Sequence, residues 1–307
     1  MLYIGEKGVV QMKTTVATKE FIYEKQLKNH TPKTLKGYKN TLGQFNEWLN
    51  KYCDIQEIEE IETPHLKQYI NYHLKQKHKA TYINGIIKVL RSYFKYCNAE
   101  EYTSVNYKKI EWAKEDKPII NCFTPEQVKK MLAFYSGKNY TSIRNKTILI
   151  TFVETGIRCN ELINIKSEDI KENFIIIHGK NHKDRMVGIT PALGKQLIKY
   201  DAAREAYFDI RKTDEQYFLS FSGRILTNSA IEKIVKDAGK GFDTVRVSPH
   251  TFRHFFAQQQ LKNGMDIYSL SRLLGHESVA ITQIYLRNMR DKEIVEKSIN
   301  QSVIANL

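Results

Sequence analysis

Five of the six prolines in this 307-residue chain directly follow a hydroxyl residue: Thr31-Pro32, Thr63-Pro64, Thr124-Pro125, Thr190-Pro191 and Ser248-Pro249. A hydroxyl at a helix N-cap accepts a free backbone N–H, and proline fits the next position because no donor is needed there. Each pair therefore predicts a helix start, and five such starts commit the chain to a largely helical fold. Thr124-Pro125-Glu126-Gln127 also has the form of a capping box.

Apolar periodicity fills in the helices that these starts open. The first carries Val16, Phe21, Ile22 and Leu27, and the second Leu35, Tyr38, Leu42, Phe45, Trp48 and Leu49. The third carries Leu66, Tyr69, Ile70 and Leu74, and the fourth Ile83, Ile86, Ile87, Leu90, Phe94 and Tyr96. These stripes predict the core of a helical bundle. Residues 112–122 break the pattern, being charged and holding the one proline with no hydroxyl before it. We therefore expect an N-terminal helical domain over 14–112, a linker over 113–122 and a second domain over 123–290.

The second domain reads as mixed. Helices are expected near 125–135, 141–155, from Pro191, and near 228–239, 249–262, 266–274 and 278–288. Short strands fit Phe174–His178 and Arg185–Ile189, with Gly179–Asp184 as the turn between them, and a further short strand fits Tyr217–Ser220. Gly264 and Gly275 read as helix stops, and Asp266 as a cap. The fold class expected is mostly α with one small antiparallel β-sheet.

The net charge is +14, and the basic excess is shared by both halves of the chain. Such a field favours a polyanionic partner, of which nucleic acid is the commonest. The four cysteines (Cys53, Cys97, Cys122 and Cys159) lie far apart, so neither a zinc knuckle nor a disulfide framework is suggested. No apolar run reaches the ~18 residues of a membrane span, and no signal region opens the chain. The chain reads as cytoplasmic, with no membrane partner.

Chemistry concentrates in the second domain. Thr155-Gly156-Ile157-Arg158 continues as Cys159-Asn160-Glu161-Leu162; His250-Thr251-Phe252-Arg253 is followed by Leu274-Gly275-His276, with Tyr285 nine residues on. Each piece alone is weak, since an isolated His-x-x-Arg is more often a surface pair and Arg158 with Glu161 suits a plain ion pair. In this order they suit one task. Two guanidinium forks match phosphate oxygens, two histidines supply hydrogen bonds or move protons, and nearby cations favour the phenolate of Tyr285 as a nucleophile. His250 and Arg253, at i and i+3, share a helix face, and Gly275 is expected to place His276 at an exposed turn.

These motifs, with Gly179-Lys180 in the hairpin, resemble the tyrosine recombinases, the phage-integrase and Xer-like site-specific DNA recombinases. The resemblance is strong over about 120–290 and looser over about 14–112. It implies a helical SAM-like core-binding domain followed by an α+β catalytic domain. It also implies that Tyr285 attacks a DNA phosphate to give a 3′-phosphotyrosine, while Arg158, Arg253 and His276 stabilise the transition state. His250 then assists as acid/base, Lys180 protonates the departing 5′-oxygen, and Glu161 supports Arg158. Lys183 remains an alternative to Lys180.

No cofactor or metal is called for, because the phosphotyrosine stores the energy of the broken bond. The partners implied are a double-stranded DNA recombination site and a homo-tetramer on synapsed DNA. Strands exchange through a Holliday junction, for integration, excision or resolution of a mobile element or replicon. The tail over 291–307, apolar at helical spacing, is expected to dock on a neighbouring protomer or on its own domain. A type IB topoisomerase-like enzyme and a catalytically idle DNA-binding protein are the alternatives. Lys88 and Arg91, on the fourth helix, are candidate DNA contacts.

Overall fold

The computed structural model describes residues 3–4, 10–115, 121–179 and 183–286. The chain divides into two compact units, Met1–Lys117 and Pro118–Leu307. Among the described residues no helix is long and apolar enough to cross a membrane.

The first unit begins with a minimal antiparallel pair, β1 (Tyr3–Ile4) and β2 (Val10–Gln11), in register Tyr3↔Gln11. Four helices follow: α1 (Thr14–Leu27), α2 (Pro32–Cys53), α3 (Thr63–Lys75) and α4 (Ala80–Ala99). Their core is aromatic and aliphatic, with Phe21, Phe45, Leu49, Leu66, Ile87, Leu90 and Phe94 fully buried. Phe45 sits at its centre, 4.9 Å from the Tyr69 ring and 6.0 Å from that of Phe94.

Several sequence expectations need correction in this unit. Val16, Leu27 and Leu74 point to solvent, and α1 buries Thr14, Ala17, Thr18 and Phe21 instead. The small residues let α1 lie close to its neighbours, and buried Asn46 donates to the Thr18 hydroxyl at 3.1 Å. Thr31 caps α2 through the Thr34 N–H as expected, but Thr63 lies inside α3 and its hydroxyl accepts from the Asn106 N–H. Glu62 takes the cap position, and its N–H donates to the His65 ring. Arg91 is committed within the unit: it donates to the Lys108 and Ile110 carbonyls and stacks on Trp112 at 4.8 Å.

In the second unit, α5 (Pro125–Phe134) and α6 (Tyr140–Thr155) are followed by the one-and-a-half-turn α7 (Cys159–Asn164). Next come β3 (Phe174–Ile177) and β4 (Arg185–Gly188), antiparallel with Ile175↔Val187 and Ile177↔Arg185. Then come α8 (Pro191–Phe208), α9 (Asn228–Ala238), α10 (Pro249–Lys262), α11 (Ile267–Leu274) and α12 (Val279–Leu286). Helix α6 is the axis of this unit. Its Ile148, Leu149 and Phe152 are wholly buried, as are Thr147 and Thr151. The threonines are tolerated there because Thr147, Thr151 and Thr155 each donate to the carbonyl four residues back. Buried hydroxyls thereby stay satisfied, and that of Thr147 also accepts from Gln196 of α8 at 3.0 Å.

Tyr217–Ser220 is not a strand. It makes one isolated bridge, Leu219 with Ile225. Side chains occupy its carbonyls: Tyr140 and Arg144 donate to Leu219, and Tyr200 donates to Tyr217. Helix α7 was not foreseen, being too short to show periodicity. Thr124, Thr190 and Asp266 cap α5, α8 and α11 as read. Ser248 stands at the N-cap of α10 but spends its hydroxyl on that of Thr251.

Phe45→Ala should cost about 3–5 kcal/mol, the usual range for emptying a buried aromatic site. Chemical denaturation of the full chain, followed by an N-terminal-unit tryptophan such as Trp48, reads it.

Candidate active site

The site is assembled from the ends of α6 and α11, the start of α7, helices α10 and α12, and strand β4. Helix α6 ends in Gly156, whose left-handed conformation (φ 60°) turns the chain back. A Cβ there would strike the Phe256 ring, so both the conformation and the packing call for glycine. Ile157 is then buried in the core, and Arg158 stands at the N-cap of α7. Glu161 binds it twice, Oε2 accepting the Arg158 backbone N–H at 2.7 Å and Oε1 the guanidinium at 2.8 Å.

Helix α11 ends in Gly275 (φ 66°). Helix C-termini leave unpaired carbonyls that carry negative partial charge. Three arginines use them. Arg185 donates to Leu273 at 2.8 Å, Arg253 to Leu274 at 2.7 Å and Arg158 to Gly275 at 3.1 Å. Arg253, 4 % exposed, also donates to Gly156 at 2.9 Å, which ties the ends of α6 and α11 to α10. A Cβ on Gly275 would lie 3.1 Å from the Arg185 side chain.

Arg185 was not singled out from the sequence. It grips Glu161 with both terminal nitrogens, at 3.0 and 2.7 Å, so one carboxylate serves two guanidiniums. Burial raises the Glu161 pKa, but the bonds and charge of Arg185, and then Arg158, overcome it and hold the group at about 2. Three cations against one anion leave a positive excess, and the Arg158 side chain, 38 % exposed, opens it to solvent.

The remaining groups lie around this cluster. Tyr285 is 4 % exposed, its ring stacked 6.3 Å from that of His276. Burial raises its pKa, while Arg253 and Arg158 pull the other way. His276 is half-buried rather than at an exposed turn, because its Nδ1 pairs with the fully buried Thr282 hydroxyl at 2.7 Å. Burial, then Arg253, Arg158 and Arg185, push its pKa down to about 4. His250 is solvent-accessible yet crowded; desolvation, Arg253 and Arg158 lower its pKa. The imidazole that meets the Tyr285 hydroxyl is that of His254, at 3.2 Å. The sequence signal for it was its place one turn after His250 on the same face of α10.

Arg158, His250, Arg253, His276 and Tyr285 are thus brought together. Lys180 lies outside the described residues, as does the 291–307 tail. Lys183 is exposed at the hairpin. Gly179 lacks a side chain for a steric reason, since a Cβ would collide with the Lys183 carbonyl. His178 clasps the hairpin base, pairing with Asp184 at 2.8 Å and Asp169 at 3.0 Å, and these bonds raise its pKa. Cys159 is pushed up to about 11 by burial, so its thiolate is scarce at neutral pH. Among the described residues no group of three or more His, Cys, Asp or Glu is placed to hold a metal ion. The cluster sets fixed positive charge beside a phenolic hydroxyl, an arrangement that suits an anion with several oxygens.

Known proteins carry the same arrangement of domains. Residues 121–292, over half the chain, match the phage integrase family, and residues 21–101 match the N-terminal SAM-like domain of phage integrases. The chain belongs to this family of tyrosine-type site-specific recombinases. The tyrosine recombinase XerC of Thermodesulfovibrio yellowstonii is 29% identical over 265 residues, covering 84% of this chain and 86% of that protein. The integrase of the transposon Tn1549, solved with transposon right end DNA, shares the fold with a TM-score of 0.73 at 17% identity, over 95% of this chain and 100% of the other. A lambda integrase tetramer bound to a Holliday junction gives 0.71 at 16% identity, over 90% and 77%.

Acid should unfold the second unit in two stages. His254 and His276 have folded pKa values of about 4, below their ordinary 6.5. The unfolded chain therefore binds more protons, and stability falls as pH drops from about 6.5 to about 4. Glu161, ordinarily 4.5 and held at about 2, contributes about 3 kcal/mol above pH 4.5 that is lost as pH falls towards 2. Thermal unfolding from pH 7 to 2 checks this; a flat profile between pH 7 and 4 contradicts it.

Proposed function

We propose that the chain cuts and rejoins duplex DNA at a defined site, with Tyr285 as nucleophile. The observation that carries this reading is the Tyr285 phenol, buried within the influence of Arg253 and Arg158. A scissile phosphate held by those two arginines has its developing negative charge stabilised in a water-poor pocket. Tyr285 attacks phosphorus, the 3′ side of the break is stored as phosphotyrosine, and the 5′-oxygen leaves. His276 and His250 bind the remaining phosphate oxygens, and Lys180, or Lys183 on the same hairpin, protonates the leaving oxygen. Attack by a 5′-hydroxyl from a partner strand reverses the step, so no external energy source is needed.

In this reading the helical domain over 14–112 binds the core DNA, the segment 113–122 links it to the catalytic domain over 123–290, and the tail over 291–307 couples protomers. Two duplexes are exchanged pairwise through a Holliday junction by a homo-tetramer, a reading supported by the shared fold of a lambda integrase tetramer bound to a Holliday junction. The biological task is integration, excision or resolution of a mobile element or replicon. The net charge of +14 supports a binding energy dominated by phosphate contacts.

The DNA substrate is the sequence the protein selects from a random duplex pool, synthesised with a nick beside the scissile phosphate so that cleavage is trapped. Tyr285→Phe is expected to bind this duplex as the native protein does and to form no covalent adduct on denaturing gels. An adduct in Tyr285→Phe refutes the nucleophile. Affinity for the same duplex should fall about a thousandfold between about 50 and 200 mM salt; a flat response in a filter-binding titration contradicts phosphate-dominated contact.

A further inference from the structure

The geometry points to His254 as the group that accepts the phenolic proton of Tyr285 during strand cleavage. This deepens the reading of Tyr285 as nucleophile and rests on it. The resemblance assigns acid–base work to His250, but that ring lies one turn earlier on α10, under the influence of Arg253, Arg158 and Arg246. The ring nitrogen in hydrogen-bond range of the nucleophilic oxygen is Nδ1 of His254, at 3.2 Å. The two rings are 5.4 Å apart and inclined at 56°. His276 stacks on the same phenol at 19° and limits its swing.

Protonation states fit the geometry. The groups facing His254 are His250 and Arg253 of its own helix and Tyr285 of α12. Burial, then His250 and Arg253, keep the imidazole neutral at pH 7. Burial keeps the phenol protonated in spite of Arg253 and Arg158. With its one proton on Nε2, the neutral imidazole accepts at Nδ1 from the protonated phenol, and this is the tautomer we assign. The hydrogen bond fixes the hydroxyl rotor and leaves a lone pair of the oxygen for phosphorus.

The step balances. The Tyr285 oxygen forms a bond to phosphorus as its proton passes to Nδ1 of His254, giving an imidazolium. The bond from phosphorus to the 5′-oxygen breaks, and that oxygen takes a proton from the lysine of the proposed mechanism. In religation the imidazolium returns its proton to the departing tyrosine oxygen. An imidazole surrounded by cations is a weak base in the free protein. A phosphodiester seated on Arg158 and Arg253 offsets the charge that weakens it, so the base gains strength as substrate binds.

The test is single-turnover adduct formation on the nicked selected duplex by the native protein, His254→Gln and His254→Ala. Glutamine keeps an acceptor for the phenol but cannot take its proton. Both variants should bind the duplex normally and form adduct about 100-fold more slowly or worse, in the range for a lost general base. Added imidazole should restore His254→Ala at least tenfold. A native rate in His254→Gln, or a slow His254→Ala that imidazole does not rescue, overturns the assignment. If His254→Ala does not fold, His254→Gln alone decides by its rate. Tyr285→Phe, run beside them, separates the two claims: an adduct there refutes the nucleophile itself and not only its base.

Discussion

The free carbonyls at the end of α11 hold this site together. Leu273, Leu274 and Gly275 each receive one guanidinium, from Arg185, Arg253 and Arg158. Cations gathered at a helix C-terminus meet its partial negative charge, but that alone does not offset their mutual repulsion and desolvation. Glu161 supplies the rest by bonding to two of the three. Removing one member of such a buried network strands the others, which is why these groups act as one unit. The surplus positive charge is fixed before any anion arrives, and reorganisation during reaction is correspondingly small.

Glycine makes the arrangement possible. Gly156 and Gly275 close α6 and α11 in the left-handed conformation and turn their carbonyls to arginines on other elements. The same turns set Arg158 at the head of α7 and His276 just past the end of α11. Helix α10 supplies Arg253, His250 and His254 from neighbouring positions, and α12 brings Tyr285 against them. The scaffold is packed: Phe152 of α6 and Phe252 of α10, both wholly buried with rings 6.2 Å apart, lie close in sequence to Gly156 and Arg253.

What was legible in the sequence was local. Thr31, Thr124 and Thr190 cap the helices they announce because the cap needs only residues three positions apart. Arg158, Arg253, His276 and Tyr285 stood out because their spacing reflects helix ends and faces. Arg185 did not, since a cation at the start of a strand gives no hint of a carboxylate 24 residues earlier. His254 was overlooked beside His250 because which turn of α10 meets α12 depends on tertiary packing. Val16, Leu27 and Leu74 misled for a related reason: periodicity marks a face without saying what covers it. Arg91 stood out only as a cation on a helix face, and its bonds to the Lys108 and Ile110 carbonyls and its place over Trp112 depend on how the following segment folds back.

The central claim is that the arginine cluster is locked in the free protein. Guanidinium N–H resonances of Arg158, Arg185 and Arg253, assigned by nitrogen-15 NMR without DNA, test it most directly. The account predicts resolved, slowly exchanging signals for all three, with Glu161→Gln loosening Arg158 and Arg185 while Arg253 stays fixed by Gly156 and Leu274. Averaged, rapidly exchanging signals in the native protein, sharpening only when DNA is added, would contradict it.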